Sequence, residues 1–126
     1  MYGNAYNIYK NNSVNYASKE QLLLMLVDGA VKFAKIAREG LANKDVNKSH
    51  DNLVKVQNIF TELIVSLDKD SGEWADQLLG VYIFIKDKLV QANITKNVEY
   101  LDEVLPLIDE VKNIWHEAYE VSKTIK

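Results

Sequence analysis

Residues 22–37 (LLLMLVDGAVKFAKIA) constrain this chain more than any other stretch. Residues 22–27 are six apolar side chains without a break. Apolar residues then recur at helical spacing through Ala30, Val31, Phe33, Ala34, Ile36, Ala37 and Leu41. An amphipathic helix needs only one apolar stripe, yet the first two turns here are apolar nearly all the way round. Such a helix has to be covered on several sides, by other helices or by a partner. Its start is marked by Ser18-Lys19-Glu20-Gln21, a capping-box sequence with Ser18 as N-cap and Gln21 at N3. Glu20 adds negative charge where the helix dipole favours it. Gly40 weakens the last turn and Asn43 ends it, which predicts a helix over 19–42, roughly 36 Å long.

The rest of the chain repeats this pattern with different stops. Leu53, Val56, Phe60, Leu63, Ile64 and Leu67 fall on one face of a second helix over about 45–67. Residues 68–72 (DKDSG) are short, charged and glycine-ended, a clear break. A third helix over 73–94 carries one stripe through Trp74, Leu78, Val81, Tyr82, Ile85, Leu89 and Ala92, and a second through Leu79, Ile83, Val90 and Ile94. Its centre, VYIFI, would also suit a strand, but the flanking period is helical. Asn97 can cap a fourth helix over 98–121, whose apolar face holds Leu101, Val104, Leu105, Ile108, Val111, Trp115 and Ala118. Pro106 lies inside it and removes a backbone hydrogen bond, so a kink or boundary is expected near 101–105. Four such helices with short connections predict an all-α fold: one antiparallel up-down four-helix bundle domain.

Residues 1–17 differ from everything after them: four tyrosines, five asparagines, no acid and one base. Asparagine opposes a long helix, whereas solvated tails are poor in aromatics. Two readings follow, a loose terminus or an extended arm lying on apolar surface with Tyr6, Ile8, Tyr9 and Val14 as anchors.

Composition removes most chemistries. The chain has no cysteine, so it has neither disulfides nor thiolate sites. Net charge is −3, and only Arg38 among fifteen basic residues is arginine, so a nucleic-acid partner is not expected. No apolar run approaches the roughly 20 residues that span a bilayer, and the N-terminus lacks the pattern of a secretory signal. His50 and His116 have no glutamate three residues before them, so the Glu-x-x-His di-metal motif is missing. His116 and Glu120 read as a surface pair, and Asp28 as a rim residue. Gly29, costly in mid-helix by about 1 kcal/mol, reads as a point of close helix packing. Neither catalysis nor a metal or other cofactor is expected.

What remains is surplus apolar surface on the first and third helices, with Leu24, Val27, Val31, Ile59, Ile83 and Phe84 as the residues left over. Exposed apolar patches beyond a few hundred Å² mark interaction sites. The surplus predicts either a groove for an amphipathic or extended partner segment, or the permanent interface of a homodimer or structural adaptor.

Tyr6-Asn7-Ile8-Tyr9, Ala17-Ser18-Lys19-Glu20-Gln21-Leu22 and Met25-Leu26-Val27-Asp28-Gly29-Ala30 resemble the N-terminal half of the flagellin export chaperone family, FliS. Tyr82-Ile83-Phe84-Ile85, Leu89-Val90-Gln91-Ala92-Asn93 and the spacing from Glu103-Val104 to Trp115 resemble its C-terminal half. The resemblance implies a cytoplasmic, non-enzymatic helical bundle. It would bind the disordered C-terminal segment of flagellin, one to one as a monomer, and deliver it to a component of the flagellar type III export gate. It also implies that the N-terminal arm caps an apolar surface and takes part in client binding, through Tyr6 and Tyr9, with Tyr82 joining the contacts on the third helix.

Overall fold

The computed structural model describes residues 18–125, so the arm expected over 1–17 lies outside the described residues. Four helices follow in order: α1 (Lys19–Ala42), α2 (Val46–Ser66), α3 (Glu73–Thr95) and α4 (Val98–Ile125), with a 3-10 turn at Lys69–Ser71 before α3. The capping box at α1 forms as its sequence requires. The Ser18 hydroxyl accepts from the Gln21 amide at 3.2 Å, and the Gln21 carboxamide oxygen accepts from the Ser18 amide at 2.9 Å. Asp45 caps α2 through the Lys48 amide, and the Asn97 carboxamide oxygen accepts from the Glu99 amide at 3.0 Å at the start of α4. Gly72 ends the 3-10 turn at φ +121°, a region that favours glycine.

Long-range side-chain pairs fix the topology. Along the α1–α4 seam, Gln21 meets Tyr119, Asp28 meets His116 and Arg38 meets Asp102. Residue number climbs in α1 as it falls in α4, so the two helices are antiparallel. The same inversion joins Phe60 to Tyr82 and His50 to Asn93 across α2 and α3. Each helix packs on its two neighbours, closing the ring α1–α2–α3–α4–α1. The core is a layer of Leu, Ile, Val and Ala with Phe60 and Tyr82 at its centre, rings edge to face at 5.8 Å.

Three expectations are corrected. Val27, Val31 and Ile59, assigned to surplus surface, are buried. Ring closure explains this: α4 covers the side of α1 that carries Val27 and Val31, and Ile59 turns toward α1 near Gly29. Pro106 makes no boundary, because α4 is continuous through it. Its ring is exposed on the outer face of the helix. His116 pairs with Asp28 of α1 at 2.6 Å rather than with Glu120, which lies beside Lys123.

Gly29 is also not the closest point of helix approach. A Cβ there would meet Ile59 Cδ1 at 3.5 Å, an ordinary contact. At Gly40 it would lie 2.7 Å from the Ser49 backbone nitrogen, in the tight α1–α2 hairpin. Gly40→Ala should therefore lose stability by about 1–3 kcal/mol through overpacking, whereas Gly29→Ala should gain up to about 1 kcal/mol of helix propensity. Denaturant unfolding of both variants measures the contrast. Equal effects would show that the hairpin relaxes freely.

Candidate functional site

Two apolar features remain outside the closed core. The first is the outer face of α3. Its inward stripe, Leu78, Tyr82, Ile85 and Leu89, is buried, and the helix turns Ile83 (48% exposed) and Phe84 (41% exposed) to the outside. On the α4 side, Lys88 Nζ lies 5.5 Å from the ring centroids of both Phe84 and Tyr100, and 3.4 Å from a Glu103 carboxylate oxygen. Helical register then sets Leu107 and Ile114, seven and fourteen residues after Tyr100, on that same side of α4. Gly80 shares the outer face of α3, one turn before Ile83 and Phe84, and a Cβ there would meet nothing within 4 Å. A mid-helix glycine costs about 1 kcal/mol, and within the bundle no packing offsets it.

The second feature is a cleft of about 190 Å³ at the end of the bundle where α1 and α3 begin and α2 and α4 approach their ends. Leu23, Leu63, Leu67, Trp74, Tyr82 and Trp115 form its walls, and Ser66 and Asp68 complete the lining. Drug-sized ligand pockets are typically about 300–1,000 Å³, so this cleft suits a single bulky side chain better than a cofactor. The Trp74 and Trp115 rings meet edge to face at 6.4 Å, and the Trp74 indole donates to the Ser71 carbonyl at 3.0 Å. The Trp115 indole donates to the Tyr82 hydroxyl at 2.7 Å.

The expected contact residues therefore divide. Ile83 and Phe84 lie together on the exposed face, Leu24 is half-buried on α1, and Tyr82 is buried beside the cleft. Val27, Val31 and Ile59 belong to the core. Tyr6, Ile8, Tyr9 and Val14 lie outside the described residues. Sequence reasoning missed the cleft, because Leu23, Leu67 and Trp74 come from three places in the chain and meet only when the ring closes. The one trace in the sequence is that both tryptophans, Trp74 and Trp115, stand on the apolar stripes of the third and fourth helices.

Charge elsewhere serves the helix seams. The Arg38 guanidinium forks onto Asp102, with Nε–Oδ1 at 2.5 Å and Nη2–Oδ2 at 3.3 Å. That hydrogen bond, with the carboxylate charge, pushes Arg38 further up from its ordinary value. Lys48 pairs with Glu39 across the α1–α2 hairpin. Among the described residues no group of three or more His, Asp or Glu side chains is placed to hold a metal ion. No helix of the described residues is long and apolar enough to cross a membrane.

Burial pushes the Tyr82 phenol up to about 12, with the Trp115 hydrogen bond acting in the opposite direction. The fold thus favours the neutral phenol. That contribution is fully present below the ordinary tyrosine value of about 10 and is lost as pH rises toward 12. Denaturant unfolding from about pH 9 upward should show the wild type losing about 2–3 kcal/mol more than Tyr82→Phe. Parallel losses would show that Tyr82 does not sense burial.

Comparisons with known proteins converge on one family. The sequence model described as "Flagellar protein FliS" matches residues 2–122. A flagellar secretion chaperone FliS of Bacillus subtilis is 34% identical over 117 residues, covering 93% of this chain and 87% of that protein. FliS of Campylobacter jejuni is 30% identical, covering 91% of each, and FliS of Escherichia coli is 32% identical, covering 85% and 80%. A solved structure described as a flagellar chaperone from bacteria superposes with a TM-score of 0.72 at 19% identity, over 93% of this chain and 96% of that one, a likeness of fold.

Proposed function

Given that the chain belongs to the FliS family of flagellar secretion chaperones, we propose that it holds the C-terminal segment of flagellin in the cytoplasm and hands it to the flagellar type III export gate. The observation that carries this reading is the outer face of α3. Ile83 and Phe84 stand exposed beside a glycine whose open side nothing in the bundle fills. A partner segment laid on this face would bury both side chains, and Gly80 would let its backbone approach closely. No covalent chemistry is involved. The client is bound one to one by a monomer, and the bound segment is kept from pairing with other flagellin subunits.

Affinity in this scheme comes from apolar burial set against the ordering of a flexible client, with ordering costs of about 2–5 kcal/mol or more. Binding should therefore show a negative heat-capacity change and depend weakly on salt. Residues 1–17, with Tyr6, Ile8, Tyr9 and Val14, act here as a displaceable cap on apolar surface. Such a cap lowers apparent affinity by the fraction of molecules that are open. A permanent homodimer is the rival reading, and light scattering of the isolated chain separates the two.

Calorimetric titration with a peptide spanning the C-terminal segment of the same organism's flagellin tests the proposal. Ile83→Asp and Phe84→Ser should each weaken binding by about tenfold or more. Gly80→Ala should raise the stability of the free chain by up to about 1 kcal/mol and weaken binding. If all three variants bind as the wild type does, the client lies elsewhere. Removing residues 1–17 should leave the helices formed and increase dye binding and client affinity. No change in either would refute the cap.

A further inference from the structure

The bundle-end cleft contains a hydrogen-bond donor with no acceptor among the described residues. Tyr82 is 1% exposed and lines the cleft. Its hydroxyl takes part in one hydrogen bond among the described residues, and it accepts that bond from the Trp115 indole at 2.7 Å. An indole N–H can only donate, whereas a phenol both donates and accepts. The Tyr82 proton is therefore left over. A buried donor without a protein partner costs free energy comparable to a lost hydrogen bond. The surrounding walls, Leu23, Leu63, Leu67 and Trp74, are apolar, and the carboxylate of the lining residue Asp68 is engaged by the Asp70 amide at 3.0 Å.

These features define an occupant. Apolar walls favour a bulky apolar side chain. The spare phenol proton calls for an acceptor, and apolar walls admit a neutral one at far lower desolvation cost than a charged one. An extended or helix-terminal segment offers such acceptors, because its backbone carbonyls lack partners in its own chain. We propose that Tyr82 reads the client: one bulky apolar side chain of the flagellin C-terminal segment fills the cleft, and a neutral carbonyl oxygen beside it accepts the Tyr82 hydroxyl proton. This rests on the client assignment above and adds a specificity-determining residue to it. Because burial holds the phenol protonated up to about pH 12, the donor is available throughout the physiological range. The Trp115 hydrogen bond fixes the phenol oxygen, so the donor is oriented before the client arrives.

The test titrates the full-length wild type and full-length Tyr82→Phe with the flagellin C-terminal peptide. Tyr82→Phe keeps the ring and its edge contact with Phe60 and removes only the hydroxyl. Affinity should fall roughly three- to tenfold. Independently of any variant, the wild-type complex should show a Tyr82 hydroxyl proton protected from solvent exchange by NMR, one that is unprotected in the free chain. This second measurement decides the matter if the variant fails to fold. Affinity within twofold of wild type, with no protected hydroxyl, overturns the inference and leaves the client assignment standing. Tighter binding by Tyr82→Phe also overturns it, since the hydroxyl would then be holding residues 1–17 in place of the client. If the wild type itself does not bind the peptide, both readings fall together.

Discussion

The structure depends on α1 being apolar on two sides. A helix with one apolar stripe can sit at the edge of a bundle, but α1 cannot, because Leu26, Ala30, Ala34 and Ala37 face the core while Val27 and Val31 face a flank. Both sides are removed from water only if α2 and α4 press on α1 from either hand, which closes the four helices into a ring. The flanking polar pairs then set the register rather than supplying the drive. Exposed ion pairs such as Arg38–Asp102 contribute at most about 1 kcal/mol, whereas each fully buried Val or Leu contributes roughly 1.5–3 kcal/mol.

That closure explains which parts of the molecule were legible in its sequence. Helix starts, the capping box at Ser18 and Gln21, the Asn43 stop and the Asn97 cap follow from local chemistry, and local chemistry is what a sequence displays; the end of α4, expected at 121, carries no such stop signal and the helix runs to Ile125. Of the kink or boundary expected at Pro106, the boundary is ruled out: proline's cost falls at one backbone position, and an exposed ring in a long helix anchored by Leu101, Val104 and Ile108 leaves the helix continuous. Gly29 and Gly40 were weighed in the wrong order for a different reason. Distance between helices depends on the hairpin between them, which the residues at one glycine do not reveal.

Surplus apolar surface was the least legible quantity. Ring closure absorbs the surplus of α1 and leaves that of α3 in place. Both helices look equally rich in apolar residues along the chain; they differ in how wide an arc the neighbours cover. Ile83 and Phe84 lie roughly 100° apart on α3, at the consecutive-residue angle, and both fall outside that arc. Under the proposed function, this residue pair is the surface on which the client segment lies.

Both tryptophans of the chain, Trp74 and Trp115, stand on the walls of one cleft. Emission excited selectively from tryptophan therefore comes from that end of the bundle. Quenching and spectral shape become a local gauge of whether the cleft is wet or filled, read without a label and without altering the chain. The opposite end, with its two lysine-bearing left-handed turns at Lys44 and Lys96, carries no tryptophan, so the tryptophan signal is specific to the cleft end.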